Sequence, residues 1–269
     1  MRNRLFTFVT VVALVVGVSG ACVAIPSLGG PTGVVSVPTA AVAPVGELQL
    51  AVSYQSLETV ALGLYSADED FTVWGVQALV GVADTAELWA AYSTIEDGVD
   101  MDADVWSLGG KALLAREPDA QAALAVGGGY SSLSNSADVS LLNAYLVATK
   151  DFTPMGAEDW EWGGGAGTRM LGSLGLMYIN VDPEVGDGAS LTKPFVALQF
   201  VDAGGTTLGL EYRWDDEDLD ADSVFSAVLT YPFSPEWTVE VGTTNASPGG
   251  FGLDDQDFFV RLGYCLPMG

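Results

Sequence analysis

Residues 47–55 read Glu47-Leu48-Gln49-Leu50-Ala51-Val52-Ser53-Tyr54-Gln55, and the fold turns on this stretch. Successive side chains of a β-strand point to opposite faces. Leu48, Leu50, Val52 and Tyr54 therefore share one face, with Gln49, Ser53 and Gln55 on the other. One face suits oil and the other suits water. The contrast returns downstream, where Leu208, Leu210, Tyr212 and Trp214 alternate with Thr207, Gly209, Glu211 and Arg213. Trp237, Val239 and Val241 alternate with Thr238, Glu240 and Gly242, and Phe258, Val260, Leu262, Tyr264 and Leu266 with Phe259, Arg261, Gly263 and Cys265. Beyond the N-terminal apolar run no window sustains a helical stripe, so the chain reads as all-β.

The pattern predicts strands at 47–55, 71–83, 86–95, 103–116, 120–132, 138–152, 167–181, 193–202, 206–214, 223–233, 236–245 and 257–266. Most reach the roughly 9 to 11 residues that a tilted strand needs to span a bilayer. Tight links at Ala83–Ala86, Glu117–Asp119, Asp202–Gly205 and Ser234–Pro235 alternate with longer acidic or Gly/Ser-rich links. Short periplasmic turns and long external loops are the habit of an antiparallel up-and-down transmembrane barrel. The expectation is such a barrel of about 12 strands, with both ends in the periplasm. Two stretches leave room for about 10 to 14 strands. Leu57 to Tyr65 could form a short strand, and Thr153 to Ala166, with Trp160 and Trp162, is long for a periplasmic turn. Trp74, Trp89, Trp106, Tyr130, Tyr178, Tyr212, Trp214, Tyr231 and Trp237 lie mainly towards strand ends, as interfacial girdles do.

Arg2 and Arg4 precede an apolar run from Leu5 to Val18 and the small residues Ser19, Gly20 and Ala21. That order reads as a secretory signal peptide over 1–24. Cys22 is a candidate for lipidation because small residues precede it, although Ser19 stands where a lipobox usually carries Leu. The alternative is an ordinary signal peptide whose Cys22 is discarded, and a Cys22 to Cys265 disulfide requires Cys22 to survive cleavage. Residues 25–46 then read as a Pro/Gly-rich periplasmic entry segment, and 47–269 as the barrel.

Composition supports a membrane protein without a membrane helix: 49% of residues are hydrophobic, spread through short segments. The chain carries 35 acidic against 9 basic residues, a net charge of −26, which disfavours nucleic acid as a partner. Assigning the longer links to the outside gathers most of the acidic residues there. None of the basic residues beyond the signal joins them, apart from Lys193 at one margin.

The stretch Gly33 to Tyr54, GVVSVPTAAVAPVGELQLAVSY, resembles the entry segment of exopolysaccharide-associated (YjbH-like) outer-membrane barrel proteins. These carry a Gly, a Pro-Thr-Ala-like turn and a Gly before the first amphipathic strand. The resemblance implies a bacterial outer-membrane barrel and a role in polysaccharide export. The chain departs from barrels that finish with an aromatic residue, because it runs past Tyr264 to Pro267, Met268 and Gly269. The expected partners are outer-membrane lipid, lipopolysaccharide and the barrel-insertion machinery.

The sequence contains no histidine, so the histidine-based general-base mechanisms of barrel hydrolases are unavailable and no enzymatic activity is expected. Two cysteines cannot build a His/Cys zinc site. Gly163, Gly164, Gly165 and Gly167 lack the Lys-Ser or Lys-Thr of a phosphate loop and read as a flexible link. No cofactor is expected. Asp97, Asp100, Asp102 and Asp104, and Asp215, Asp216, Glu217, Asp218, Asp220 and Asp222, are dense enough in carboxylate oxygen to attract Ca²⁺ or Mg²⁺ weakly. They lack EF-hand spacing, and solvated acidic loops are the simpler reading.

Lys111, Glu211, Arg213, Glu240 and Arg261 share strand faces with small residues and are expected to point into the lumen. There they either line a narrow aqueous path or pair with one another and plug it. Three functions follow from these readings. The first is a passive channel for small solutes or cations, or an accessory to polysaccharide export. The second is a pore-less structural barrel whose loops bind divalent ions that bridge lipopolysaccharide, and the third is a secreted soluble β-sandwich.

Overall fold

A computed structural model describes residues 26–28, 30–57, 60–62, 65–67, 71–97, 103–117, 121–134, 139–153, 169–183, 188–214, 223–246 and 252–268. In chain order the strands are β1 (Glu47–Leu57), β2 (Val60–Leu62), β3 (Tyr65–Ala67), β4 (Phe71–Ala83), β5 (Ala86–Asp97), β6 (Ala103–Ala115) and β7 (Ala123–Ser134). They continue as β8 (Val139–Asp151), β9 (Arg169–Pro183), β10 (Ala189–Val201), β11 (Thr207–Arg213), β12 (Val224–Pro232), β13 (Trp237–Ala246) and β14 (Gly252–Pro267). β1 and β4 to β14 form one closed antiparallel barrel in sequence order. β1 completes the ring, pairing with β14 from Glu47↔Pro267 to Gln55↔Phe259 and with β4 from Leu48↔Val80 to Leu57↔Phe71. The stretch 57–65, which could have added a barrel strand, contributes instead to a separate β2–β3 hairpin. Most of the link 153–166 lies outside the described residues.

Closure leaves no unpaired strand edge, which is the condition for a sheet to exist in lipid. The outer face carries the large apolar side chains of the alternating pattern. Leu142, Leu174 and Leu229 are 53%, 62% and 51% exposed, and Leu88, Leu108 and Leu176 also exceed half exposure. An uncovered apolar surface of this extent needs lipid around it. The oily faces thus look outward and are not stacked on each other, so the soluble β-sandwich is excluded. This barrel belongs in the bacterial outer membrane.

Two aromatic belts edge the apolar band. Tyr54 and Trp74 meet edge to face at 4.8 Å, Tyr212 and Trp214 likewise at 4.8 Å, and Trp106 and Tyr130 in a tilted arrangement at 5.3 Å, all towards the end with the long connections. Trp237 lies 4.6 Å from Tyr264 and 6.4 Å from Phe233 at the opposite, short-turn end. By the usual arrangement these ends are external and periplasmic respectively. Trp89 is a correction to the expected belt. It shares the parity of Glu87 on β5, points inward, and is only 4% exposed. Its indole lies across β6 and β7 at Gly109 and Gly129, where an added Cβ would come within 2.4 and 2.5 Å of the ring. Glycine at these two positions is what gives the ring its place on the wall.

Candidate functional site: a lumen filled by residues 26 to 45

The segment expected to lead in from the periplasm lies inside the barrel. Its residues bond to side chains of β5, β6, β8 and β11, strands that lie on different sides of the ring. Val34, Val35, Val37, Ala40 and Ala43 are 0–2% exposed. The path leaves the lumen beside β4, where Val45 bridges Gly81 and the Gly46 N–H donates to the Gly81 carbonyl at 3.0 Å. Gly46, at φ 74°, then turns the chain into β1. Gly81 must lack a side chain, since a Cβ there would stand 2.0 Å from the Pro44 carbonyl oxygen.

A chain that is not part of a sheet brings unpaired backbone N–H groups into the lumen, and each needs an acceptor. Proline lowers the demand because it has no N–H, and Pro26, Pro31, Pro38 and Pro44 all fall in this segment. Some of the remaining donors are met within the segment, as in Ser27 N–H to Pro31 O at 2.8 Å and Leu28 N–H to Val35 O at 2.7 Å. The wall meets others. Glu211 accepts from the backbone N–H groups of Val35, Ser36 and Val37 at 2.9, 2.9 and 3.2 Å, and from the Ser36 hydroxyl at 2.6 Å. Three successive N–H groups converging on one carboxylate form an anion-binding nest. The Ser226 hydroxyl, opposite Glu211 in the β11–β12 register, donates to the same carboxylate at 2.8 Å.

Glu87 makes the second attachment. It accepts from Thr32 N–H and Oγ1–H at 2.9 and 2.7 Å and from Ala43 N–H at 2.8 Å. Lys111 stands opposite Glu87 in the β5–β6 register, ion-pairs with it at 3.0 Å, and donates to the Thr32 and Thr39 carbonyls at 3.0 and 3.2 Å. Between the two, Thr149 Oγ1 accepts from Ala40 N–H at 2.8 Å.

The remaining inward candidates are also buried. Glu240 and Arg261 face each other across β13 and β14 as a buried ion pair, and the Thr230 hydroxyl donates to Glu240 at 2.9 Å. Arg213 is 1% exposed. The structure therefore places Lys111, Glu211, Arg213, Glu240 and Arg261 inside the barrel without gathering them into one cluster. Lys111 and Glu211 grip the inner segment, while Glu240 and Arg261 join two strands of the wall. Glu87 escapes a reading of the sequence because it begins its strand and looks like a turn residue. The available signal is its position two residues before Trp89 and four before Ala91 on one face.

Of the acidic-loop candidates, Asp97 ends β5, and Asp100, Asp102, Asp215, Asp216, Glu217, Asp218, Asp220 and Asp222 lie outside the described residues. Asp104 accepts the Tyr92 hydroxyl at 2.6 Å on the exposed outer face. Among the described residues no group of three or more acidic or cysteine side chains is placed to hold a metal ion.

Cys265 is disulfide-bonded. The sequence has two cysteines, and the other, Cys22, lies outside the described residues. A sulfur in a disulfide cannot also carry a lipid thioether, so the intact mass of the mature chain separates the two uses. The expected result is a mass without acyl groups that rises by two hydrogens on reduction; an acylated Cys22 at the N-terminus would show the opposite.

The fold and the filled lumen define an outer-membrane β-barrel that holds a segment of its own chain inside. No protein-family model and no curated protein matches the chain. Among solved structures it is similar to the KdgM porin in complex with disordered oligogalacturonate, at 12% identity and a TM-score of 0.47, over 81% of this chain and 98% of that one. It is also similar to the COG4313 outer membrane channel from Pseudomonas putida F1, at 12% identity and 0.46, over 83% and 97%. A third is the outer membrane phospholipase A from Escherichia coli, at 12% and 0.43, over 81% and 92%. These three are two channel proteins and an enzyme.

Proposed function

We propose that the chain is a non-enzymatic outer-membrane channel closed at rest by residues 26–45 of its own sequence. The observation that carries the reading is the mode of attachment. Glu87 and Glu211 hold the segment through backbone N–H groups, and water can replace such contacts when the segment leaves. The wall that would then be wetted has balanced charge. Among the described residues its buried charged groups are Glu87, Glu211, Glu240 and Asp257 against Lys111, Lys193, Arg213 and Arg261. Selectivity in the open state would come instead from the acidic external loops, which favour cations, bind divalent ions weakly and so bridge to lipopolysaccharide. Passage of a polysaccharide is the finer version suggested by the resemblance over Gly33 to Tyr54.

A pore-less structural barrel is the second reading, and one observation favours it. Val34, Val35 and Val37 pack into an apolar cluster with Phe195, Val228 and Phe259 of the wall, so the segment also serves as core. Planar-bilayer recording on the full-length protein addresses the first reading. The wild type is expected to be silent, with openings appearing when the attachment is weakened. Steady wild-type conductance while residues 26–45 stay protected from protease would overturn closure by this segment.

A further inference from the structure

A cavity of about 70 Å³ lies between the inner segment and the wall of β5 to β9. The segment contributes Leu28, Pro31, Ser36 and Pro38, and the wall contributes Trp89, Asn143 and Tyr145 among others. Among the residues that line it, Trp89, Asn143 and Tyr145 each carry a buried polar atom with no hydrogen-bond partner in the protein: Nε1, Oδ1 and Oη respectively. Trp89 and Tyr145 are 4% and 5% exposed, so bulk solvent does not satisfy them. A buried polar group left unmatched costs roughly 1–3 kcal/mol, and such groups in folded proteins nearly always have a partner. Here three belong to side chains that line one space. Their chemistry is also complementary. The indole N–H only donates, the amide oxygen only accepts, and the phenol does either.

The other polar groups lining the wall are uncharged hydroxyls, except for Arg213. Ser107 and Ser131 face each other across β6 and β7 and bond to one another at 2.8 Å, and Ser93 adds a third hydroxyl. A charged ligand would find no concentrated opposite charge here. An apolar one would leave all three orphaned atoms unmatched. An uncharged molecule whose oxygens both donate and accept satisfies each of them. A space of at least about 10–15 Å³ by this measure holds one water, so the cavity accommodates several non-hydrogen atoms.

We propose that this cavity is a binding site for small uncharged hydroxyl compounds, occupied by ordered water or by a short polyol of ethylene-glycol or glycerol size. Because the inner segment forms one side of the site, occupancy favours the seated segment by linkage. The proposal requires only that the segment be seated. It does not depend on whether the barrel ever conducts, so its failure and that of the channel reading are separately observable.

The test uses the full-length protein in detergent. Crystals grown and frozen without polyol are expected to show at least two ordered oxygens within hydrogen-bond distance of Trp89 Nε1, Asn143 Oδ1 and Tyr145 Oη. Thermal midpoints are then followed against ethylene glycol for the wild type and for Tyr145→Phe/Asn143→Leu. A rise in the wild type exceeding that of the variant identifies a polyol site, while ordered oxygens with equal rises identify water as the occupant; both support the proposal. An empty cavity that takes up xenon under pressure overturns it, as does a structure in which the three atoms bond to protein groups. If the double variant does not fold, Tyr145→Phe alone is used, with loss of the oxygen nearest residue 145 as the readout.

Discussion

Glu211→Ala is expected to turn a silent barrel into one that opens in brief discrete steps, and Glu87→Ala/Glu211→Ala into one that is open for much of the time. The cause is local. Removing Glu211 strips the acceptor from the N–H groups of Val35, Ser36 and Val37. A buried donor left without its acceptor costs about 1–3 kcal/mol, and three of them together shift the balance towards the unseated segment by roughly 10²-fold or more. The apolar contacts of Val34, Val35 and Val37 remain in the single variant, which is why its openings should be short. The entropy lost on ordering the segment opposes all of these contacts along its whole length and lowers the net preference for the seated state.

A steric variant separates attachment from charge. Gly81→Val places atoms where the Pro44 carbonyl passes and should also open the barrel while leaving both carboxylates intact. Reversal potentials in a salt gradient then report selectivity. Cation preference at low ionic strength is expected from the external loops and should fade as salt shortens the Debye length from about 10 Å at 0.1 M. Should both Glu variants stay silent while retaining heat-modifiable gel mobility, the channel reading is wrong and the segment is permanent core.

The second large effect concerns the wall and not the segment. Arg261→Met is expected to destabilise the barrel by about 3–5 kcal/mol, because Glu240 would remain as a buried and unpaired carboxylate. Arg261 is 0% exposed and Glu240 only 4%, so neither can recover hydration without rearrangement. Glu240→Leu/Arg261→Met removes both charges and should restore most of the lost stability, since a buried pair replaced by apolar groups of similar size is often neutral. Urea unfolding in lipid vesicles measures this. A double variant as unstable as the single would mean that Arg261 acts mainly through contacts other than Glu240, such as its register neighbour Ser53 on β1.

Strand positions are legible because lipid outside and a wet or filled lumen inside impose opposite demands at every second residue. The expected 71–83 and the observed Phe71–Ala83 agree, and the expected 47–55 extends to Leu57. The limits shift where alternation weakens. β14 begins at Gly252 and not at 257, and β10 at Ala189 and not at 193, because acidic and small residues continue a strand beyond the apolar belt without marking it. Parity also places Glu211, Arg213, Glu240, Arg261 and Lys111 on the inner face without any knowledge of pairing.

What alternation cannot give is what fills the interior. The stretch GGPTGVVSVPTAAVAP over 29–44 has no period and reads as a linker, since an irregular segment satisfies its backbone through partners remote in sequence. Glu211 lies 175 positions from Ser36, and Glu87 lies 55 from Thr32. The sequence by itself determined a closed two-faced sheet in a membrane, because that rests on nearest-neighbour alternation. Only the tertiary structure decided that the lumen is occupied, because occupancy depends on which wall carboxylates closure of the ring brings to the backbone of residues 26–45.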